Sequence, residues 1–441
     1  MNDDPRETIA SMPMRRPQIL IVALCIAMNA LDGFDVLAIS FAAPGITSEW
    51  GIDPATLGVV LSMELFGMAA GSVAIGNIAD RIGRRPAILT CLAMMAAGML
   101  ATSLANSIPV LLVLRLLTGL GIGGMLSSTS ATVAEFSNDR RRNLNVSLNI
   151  AGYPSGAILG GLIASALLEA DYGWRSLFVF GGTMTVLLLP LAFLFLPEPV
   201  EALLARRPAD TLGRVNRTLA RLGLASIDSL PATASAAPKP SFIALFSRGY
   251  AGPTILLTIA YFAQIMLFYF VIKWIPTIVV GMGFTAAEAA RVLVFANIGN
   301  LLGAVLIGFA AQRFPLRPVI IGAMVAGFVT ICVFGIGFRD TTQLAIIAAI
   351  ATFFINAGVV GLYPILAWTY PAHLRAGGTG FVIGVGRGGS AIGPVVAGAL
   401  FASGASLLTV SLVMGAAGLV AAMMLVLLPR MRADPERSPA V

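Results

Sequence analysis

Hydrophobic positions fall into twelve runs along the chain, at about residues 18–46, 56–78, 87–106, 109–133, 144–168 and 175–196, then 251–280, 287–311, 317–337, 342–370, 377–402 and 406–429. Each has roughly the 20 residues that a helix needs to cross a hydrocarbon layer of about 30 Å. Within such a layer the backbone must satisfy its own hydrogen bonds, so each run is predicted to be a transmembrane helix. Arg15 and Arg16 precede the first run without a convincing cleavage site after it, so it reads as a retained helix and not a signal peptide. The interval 198–247 is polar. It carries Arg206, Arg207, Arg214, Arg217 and Arg221, then an Ala/Pro/Ser stretch over 231–240, and reads as a part-helical linker. The expected architecture is an all-α membrane protein of 12 transmembrane helices. Its N-terminal six-helix half is 1–197, its linker 198–248 and its C-terminal six-helix half 249–441.

The two halves repeat. Gly67, Gly71, Gly76, Arg81 and Pro86 recur as Gly299, Gly303, Gly308, Arg313 and Pro318, each 232 positions further on. One position departs, Asp80 becoming Gln312. A duplicated six-helix unit is expected to hold its binding site between the halves.

The composition, 58% hydrophobic and 11% charged, excludes a soluble domain of this length. A net charge of +7 would suggest a nucleic-acid partner in a soluble protein, but the basic residues are distributed otherwise. Of 28 Lys and Arg, 22 fall in the N-terminus, the even-numbered loops, the linker and the C-terminus, and only Arg175, Arg291 and Arg339 in the odd loops. Both termini and the linker are therefore expected on the cytoplasmic side of the membrane. Cys25, Cys91 and Cys332 all lie in apolar runs and are expected as free thiols. No nucleotide-binding loop or metal-ligand cluster occurs, so neither an enzyme, an ATP-driven pump, a cofactor nor a metal is expected.

Charges inside the runs are the candidate chemistry. Asp32 and Asp35 stand three positions apart on one face of the first helix, Asp32 roughly 21 Å in at about 1.5 Å per residue. A carboxylate at that depth is costly and faces a bundle interior or a wet cavity. The pair reads as a proton relay rather than a structural ion-paired fixture, and the single histidine, His373, leaves proton chemistry to carboxylates. Arg115 in the fourth run is either functional or a partner for an acid on the first. Arg387, flanked by Gly386, Gly388 and Gly389, suits bidentate capture of a substrate carboxylate. Lys273 is an auxiliary cation or a snorkelling surface lysine, and Glu64 is a third intramembrane acid and a possible partner for it. Gln264, Tyr269, Asn356, Tyr363 and Trp368 either line a cavity for a flat ring or pack.

The loop Gly76-Asn77-Ile78-Ala79-Asp80-Arg81-Ile82-Gly83-Arg84-Arg85-Pro86 resembles the signature loop of the major facilitator superfamily. The set Asp32-Gly33-Phe34-Asp35, Arg115 with Glu135, Gly173-Trp174-Arg175, Val215-Asn216-Arg217, Tyr370-Pro371-Ala372-His373-Leu374-Arg375-Ala376 and Gly386-Arg387 resembles its aromatic acid:proton symporter branch over nearly the whole chain. The resemblance implies a conformational latch at Asp80, Arg81 and Arg84, and transport roles for Asp32, Asp35, Arg115, Glu135, Arg375 and Arg387. Arg141, in the basic cluster after Glu135, is grouped with the gate. The sequence departs from the pattern at Gln312 and at Ser127-Ser128, and Glu64 and Lys273 lie outside it.

The expected function is proton-coupled import of aromatic carboxylic acids of the benzoate or phenylpropionate type by alternating access, in a monomer. Asp32 and Asp35 would couple protons. Arg387, Lys273, Glu64, Arg115, Gln264, Tyr269, Tyr363, Trp368 and Asn356 would form the substrate site. One proton per monoanion is favoured, on the premise that Arg115 or Lys273 holds one aspartate ionised. A drug or organic-anion antiporter is the alternative, opposed by Gly161 where its helix-5 signature has proline. A membrane sensor would have no need of buried charges in both halves.

Overall fold

Every described element is a helix. The computed structural model describes residues 4–231, 245–247 and 249–429; the side chains of Asn77, Asp80, Ala372, His373 and Ala376 lie outside that description, as does most of the 231–240 stretch. The N-terminal half comprises α1 (Pro5–Ser11), α2 (Arg16–Trp50), α3 (Pro54–Ile82), α4 (Arg84–Ser103), α5 (Ile108–Phe136), α6 (Asp139–Glu169) and α7 (Arg175–Phe195). Two short linker helices follow, α8 (Val200–Arg206) and α9 (Thr211–Leu222). The second half comprises α10 (Ala251–Gly281), α11 (Ala286–Arg313), α12 (Leu316–Ile336), α13 (Thr341–Thr369), α14 (Ala372–Gly386), α15 (Gly388–Ala402) and α16 (Leu407–Leu427).

The twelve apolar runs correspond to twelve spans, and their ends are set by local chemistry. Asn138, Thr285, Asp340 and Ser406 each accept a backbone N–H in the first turn of the helix that follows, satisfying a donor that no helical carbonyl can reach. Gly51, at φ 60, closes α2 in the left-handed conformation. The eleventh run is one span, Gly377–Ala402, in which α14 passes into α15 at Arg387 with the backbone still right-handed helical.

Close backbone approach makes each half a tight bundle. Gly67 and Gly71 of α3 lie against the carbonyls of Leu116 and Leu120 in α5, where a Cβ would overlap oxygen. Gly299 and Gly303 of α11 meet the carbonyls of Ala349 and Phe353 in α13 in the same way. The sequence repeat is thus a repeat of one helix–helix contact, made by small residues as membrane interiors favour. Helices α8 and α9 bury Val200, Leu203, Val215, Leu219 and Leu222 in the same core cluster as Ile21, Cys25 and Met28 of α2, fixing the described linker to the N-terminal half.

The halves meet at the end of the bundle away from the termini and linker. There Gly58 of α3 packs on Pro394 and Gly398 of α15, and Ser165 of α6 donates to the Ala287 carbonyl of α11 at 2.9 Å. Arg291 pairs with Glu169 at the same seam. Toward the linker end they part around a cavity of about 770 Å³.

The glycine contacts generate the first prediction. Gly67→Ala and Gly299→Ala should each destabilise the protein by about 1–3 kcal/mol through overpacking, read as a lower melting temperature in detergent. Gly76→Ala and Gly308→Ala, where a Cβ meets open space, should cost nothing. Equal effects at all four positions would rule out the shared contact as the reason for the repeat.

Candidate functional site: a cavity floored by arginine and a buried charge cluster

The cavity is lined by Ser72 and Val73 of α3, Ala367 of α13, and Arg375, Thr379, Gly380, Ile383, Gly384 and Arg387 along the α14 side. Two guanidinium groups and two hydroxyls line it, with no carboxylate among the described residues. Arg387 stands where α14 passes into α15. Its amide donates to the Ile383 carbonyl at 2.9 Å, while its own carbonyl takes the amide and hydroxyl of Ser390 at 2.9 and 2.6 Å. The glycines around it let the span press on α10: Gly386 faces the Tyr261 ring and Gly389 the Phe262 carbonyl. Tyr261 and Tyr363 share a hydroxyl–hydroxyl contact of 3.2 Å, and together with Tyr269 they lie within electrostatic range of Arg387. The arginine and the open volume thus occur together, while Tyr261 and the expected Tyr269 and Tyr363 stand near Arg387 but are not among the described residues that line the cavity.

Glu64, Arg115 and Lys273 form a separate cluster, all fully buried. Glu64 lies 3.5 Å from Arg115 through one oxygen and 3.5 Å from Lys273 through the other. Arg115 also bonds Thr102 at 2.7 Å and Thr118 at 3.2 Å, and stacks over Phe178 with 4.8 Å to the ring centroid. Lys273 crosses from α10 to donate to the Val36 carbonyl of α2. Two expectations are settled here. The partner of Arg115 is an acid on the second span, not the first, and Lys273 does not snorkel to the surface.

Asp32 and Asp35 are buried at 1% and 0% exposure, and none of their carboxyl oxygens has a hydrogen-bond donor among the described residues. They point into the N-terminal half, not into the cavity. Asp35 Oδ1 lies against Gly181 of α7, and Asp32 is within electrostatic range of Asp35, Cys91 and Tyr153. Among the described residues neither Arg115 nor Lys273 makes a salt bridge to an aspartate, both pairing with Glu64, although Arg115 remains within electrostatic range of Asp35.

Three other expected lining residues lie elsewhere. Gln264 donates to the Ile355 carbonyl at 2.8 Å and Asn356 to the Asn300 carbonyl at 2.8 Å; both tie helices of the second half together, satisfying polar groups that lipid cannot. Trp368 is exposed at 57% and is not among the cavity-lining residues.

At the linker end, Arg84 pairs with Glu135 across α4 and α5. Arg81 is exposed, Arg141 contributes its amide to the Asn138 cap, and Asp80 lies outside the described side chains. The sequence reading missed Glu198. Its carboxylate takes the amides of Arg84 and Arg85 at 2.7 and 3.2 Å and lies 3.8 Å from Arg206, closing the N-terminus of α4 against the linker. The available signal was an acid directly after an apolar run, facing a basic loop. Thr102 and Thr118, the hydroxyls on Arg115, carry no signal that separates them from ordinary helix threonines.

Residues 24–304 match the Major Facilitator Superfamily profile. The 4-hydroxybenzoate transporter PcaK of Pseudomonas putida is 32% identical over 394 residues, covering 88% of each chain. The gallate transporter of Pseudomonas putida is 31% identical over 411 residues, covering 92% of this chain and 90% of that one. Among solved structures, the crystal structure of a D-xylose-proton symporter superposes with a TM-score of 0.71 at 15% identity, over 92% of this chain and 97% of that one. The chain belongs to the Major Facilitator Superfamily, as a transporter with twelve candidate membrane spans and not an enzyme.

Proposed function

We propose that the protein imports aromatic carboxylic acids together with protons across the bacterial inner membrane, as a monomer working by alternating access with the linker end in the cytoplasm. The observation that carries this reading is Arg387. It lines a 770 Å³ cavity with Tyr261, Tyr269 and Tyr363 in electrostatic range, and no carboxylate among the described lining residues neutralises it. A guanidinium away from bulk water needs a paired, hydrogen-bonded anion, and a carboxylate presents two oxygens to its fork. Tyr261, Tyr363 and Tyr269 supply ring faces and hydroxyls for an aromatic body. The relatives named for 4-hydroxybenzoate and gallate carry compounds of this chemistry.

Proton coupling is assigned to Asp32 and Asp35, buried acids without hydrogen-bond donors and so able to accept protons where no side chain competes. The orientation rests on the basic residues at the linker end, among them Arg16, Arg81, Arg84, Arg140, Arg313 and Arg317. Each half supplies part of the cavity wall, so one chain makes a complete site.

Proteoliposomes with an inward proton gradient should accumulate 4-hydroxybenzoate. Asp32→Asn should abolish uphill accumulation while retaining exchange down a gradient. Wild-type accumulation by Asp32→Asn would remove Asp32 from the coupling site, and gradient-driven exit in place of uptake would turn the reading into an exporter.

Arg387→Lys keeps the charge but loses the planar fork, so binding of 4-hydroxybenzoate by calorimetry should weaken by about tenfold or more, on the order of 1.4 kcal/mol. Unchanged affinity in Arg387→Ala would show that the carboxylate binds elsewhere.

A further inference from the structure

Between the cavity and the closed end lies the ion pair that joins the two halves in the membrane interior among the described residues, Lys273 of α10 with Glu64 of α3. At 1.5 Å per residue, Lys273 is about 12 Å and Glu64 about 15 Å from the closed ends of their helices, while Arg387 is about 22 Å from the closed end of α15. The pair therefore stands on the side of the substrate site that must open for the opposite access state. Tyr269, one turn before Lys273, lies within electrostatic range of both Arg387 and Glu64, so it stands between the two charge sites.

The cluster is unevenly balanced. Glu64 divides one negative charge between two cations, each at 3.5 Å, longer than the 2.7–2.9 Å of a saturated charge-assisted hydrogen bond. Arg115 has other partners, Thr102, Thr118 and the Gly98 carbonyl. Lys273 has the Val36 carbonyl, which is neutral. If the halves separate at the closed end, Lys273 leaves both Glu64 and Val36, because both belong to the other half. A buried ammonium without an anion is strongly disfavoured, so an anion that replaces Glu64 before solvent enters lowers the cost of separation. The carboxylate brought to the central site has that chemistry.

We propose that Glu64 is an internal counter-anion that occupies Lys273 in the empty carrier, and that the substrate carboxylate displaces it, so that arrival of the anion releases the closed end. This rests on the carboxylate reading of the Arg387 site. It makes Lys273 a substrate-contacting residue during part of the cycle and Glu64 its competitor. Removing the competitor should then tighten binding, the opposite of what loss of a structural ion pair would do.

The test is a cycle of affinities for 4-hydroxybenzoate, measured by calorimetry on the purified full chain. Glu64→Gln should bind about tenfold more tightly than the unaltered protein, and Glu64→Asp, which keeps the charge on a shorter arm, about threefold more tightly. In a Lys273→Met background, Glu64→Gln should change affinity by less than about twofold, since the competition is gone. Spin labels at positions 104 and 403, on exposed closed-end loops of the two halves, provide a second readout by pulsed electron resonance. Both 4-hydroxybenzoate in the unaltered protein and Glu64→Gln without it should add a longer distance population. Weaker or unchanged binding in Glu64→Gln and Glu64→Asp overturns the proposal, as does an unmoved distance in the presence of ligand. If Arg387→Ala loses binding while the Glu64 variants behave this way, the carboxylate site stands and only the counter-anion role falls.

Discussion

Charge in a low-dielectric interior must be matched, and the centre of this protein is arranged around that constraint. Arg115 and Lys273 come from different halves, and both turn to Glu64. Breaking such a pair by removing one partner costs about 3–5 kcal/mol, because the remaining charge stays buried. The hydroxyls of Thr102 and Thr118, the Phe178 ring and the Val36 carbonyl fill the remaining positions around the two cations. Asp32 and Asp35 are left without such matching, which separates them chemically from Glu64 although all three are buried carboxyls.

Helices pack differently inside a half and between the halves. Inside a half, helices meet through glycine on backbone, as at Gly67 on Leu116 and Gly299 on Ala349, leaving little room for sliding. Between halves, the closed end combines glycine–proline packing at Gly58 and Pro394 with few polar links, of which Arg291–Glu169 is solvent-exposed. Exposed pairs contribute little, so the seam is held mainly by packing and by the buried pair. Under the proposed alternating access, each half would move as a unit about this seam.

Much of this was legible in the sequence. Apolar runs gave the spans because lipid imposes one length and one backbone solution, and the 232-residue repeat pointed to the contact that Gly67 and Gly299 make in their respective halves. Arg387 stood out because an arginine among glycines in an apolar run has few uses. Pairing was harder to read. Glu64 attracts both cations, and nothing in the spacing of residues 64, 115 and 273 says that three helices from two halves converge there. Gln264 and Asn356 look like cavity residues by type, yet each is taken up by a carbonyl across a helix interface.

Transport as proposed depends most on where a substrate carboxylate comes to rest. An electron cryomicroscopy map of the protein in nanodiscs with 4-hydroxybenzoate bound would test it directly. The expected result is carboxylate density within hydrogen-bond reach of the Arg387 guanidinium, with the ring beside Tyr261 and Tyr363. Density for the ligand away from Arg387, or an Arg387 engaged by a protein carboxylate in that map, would contradict it.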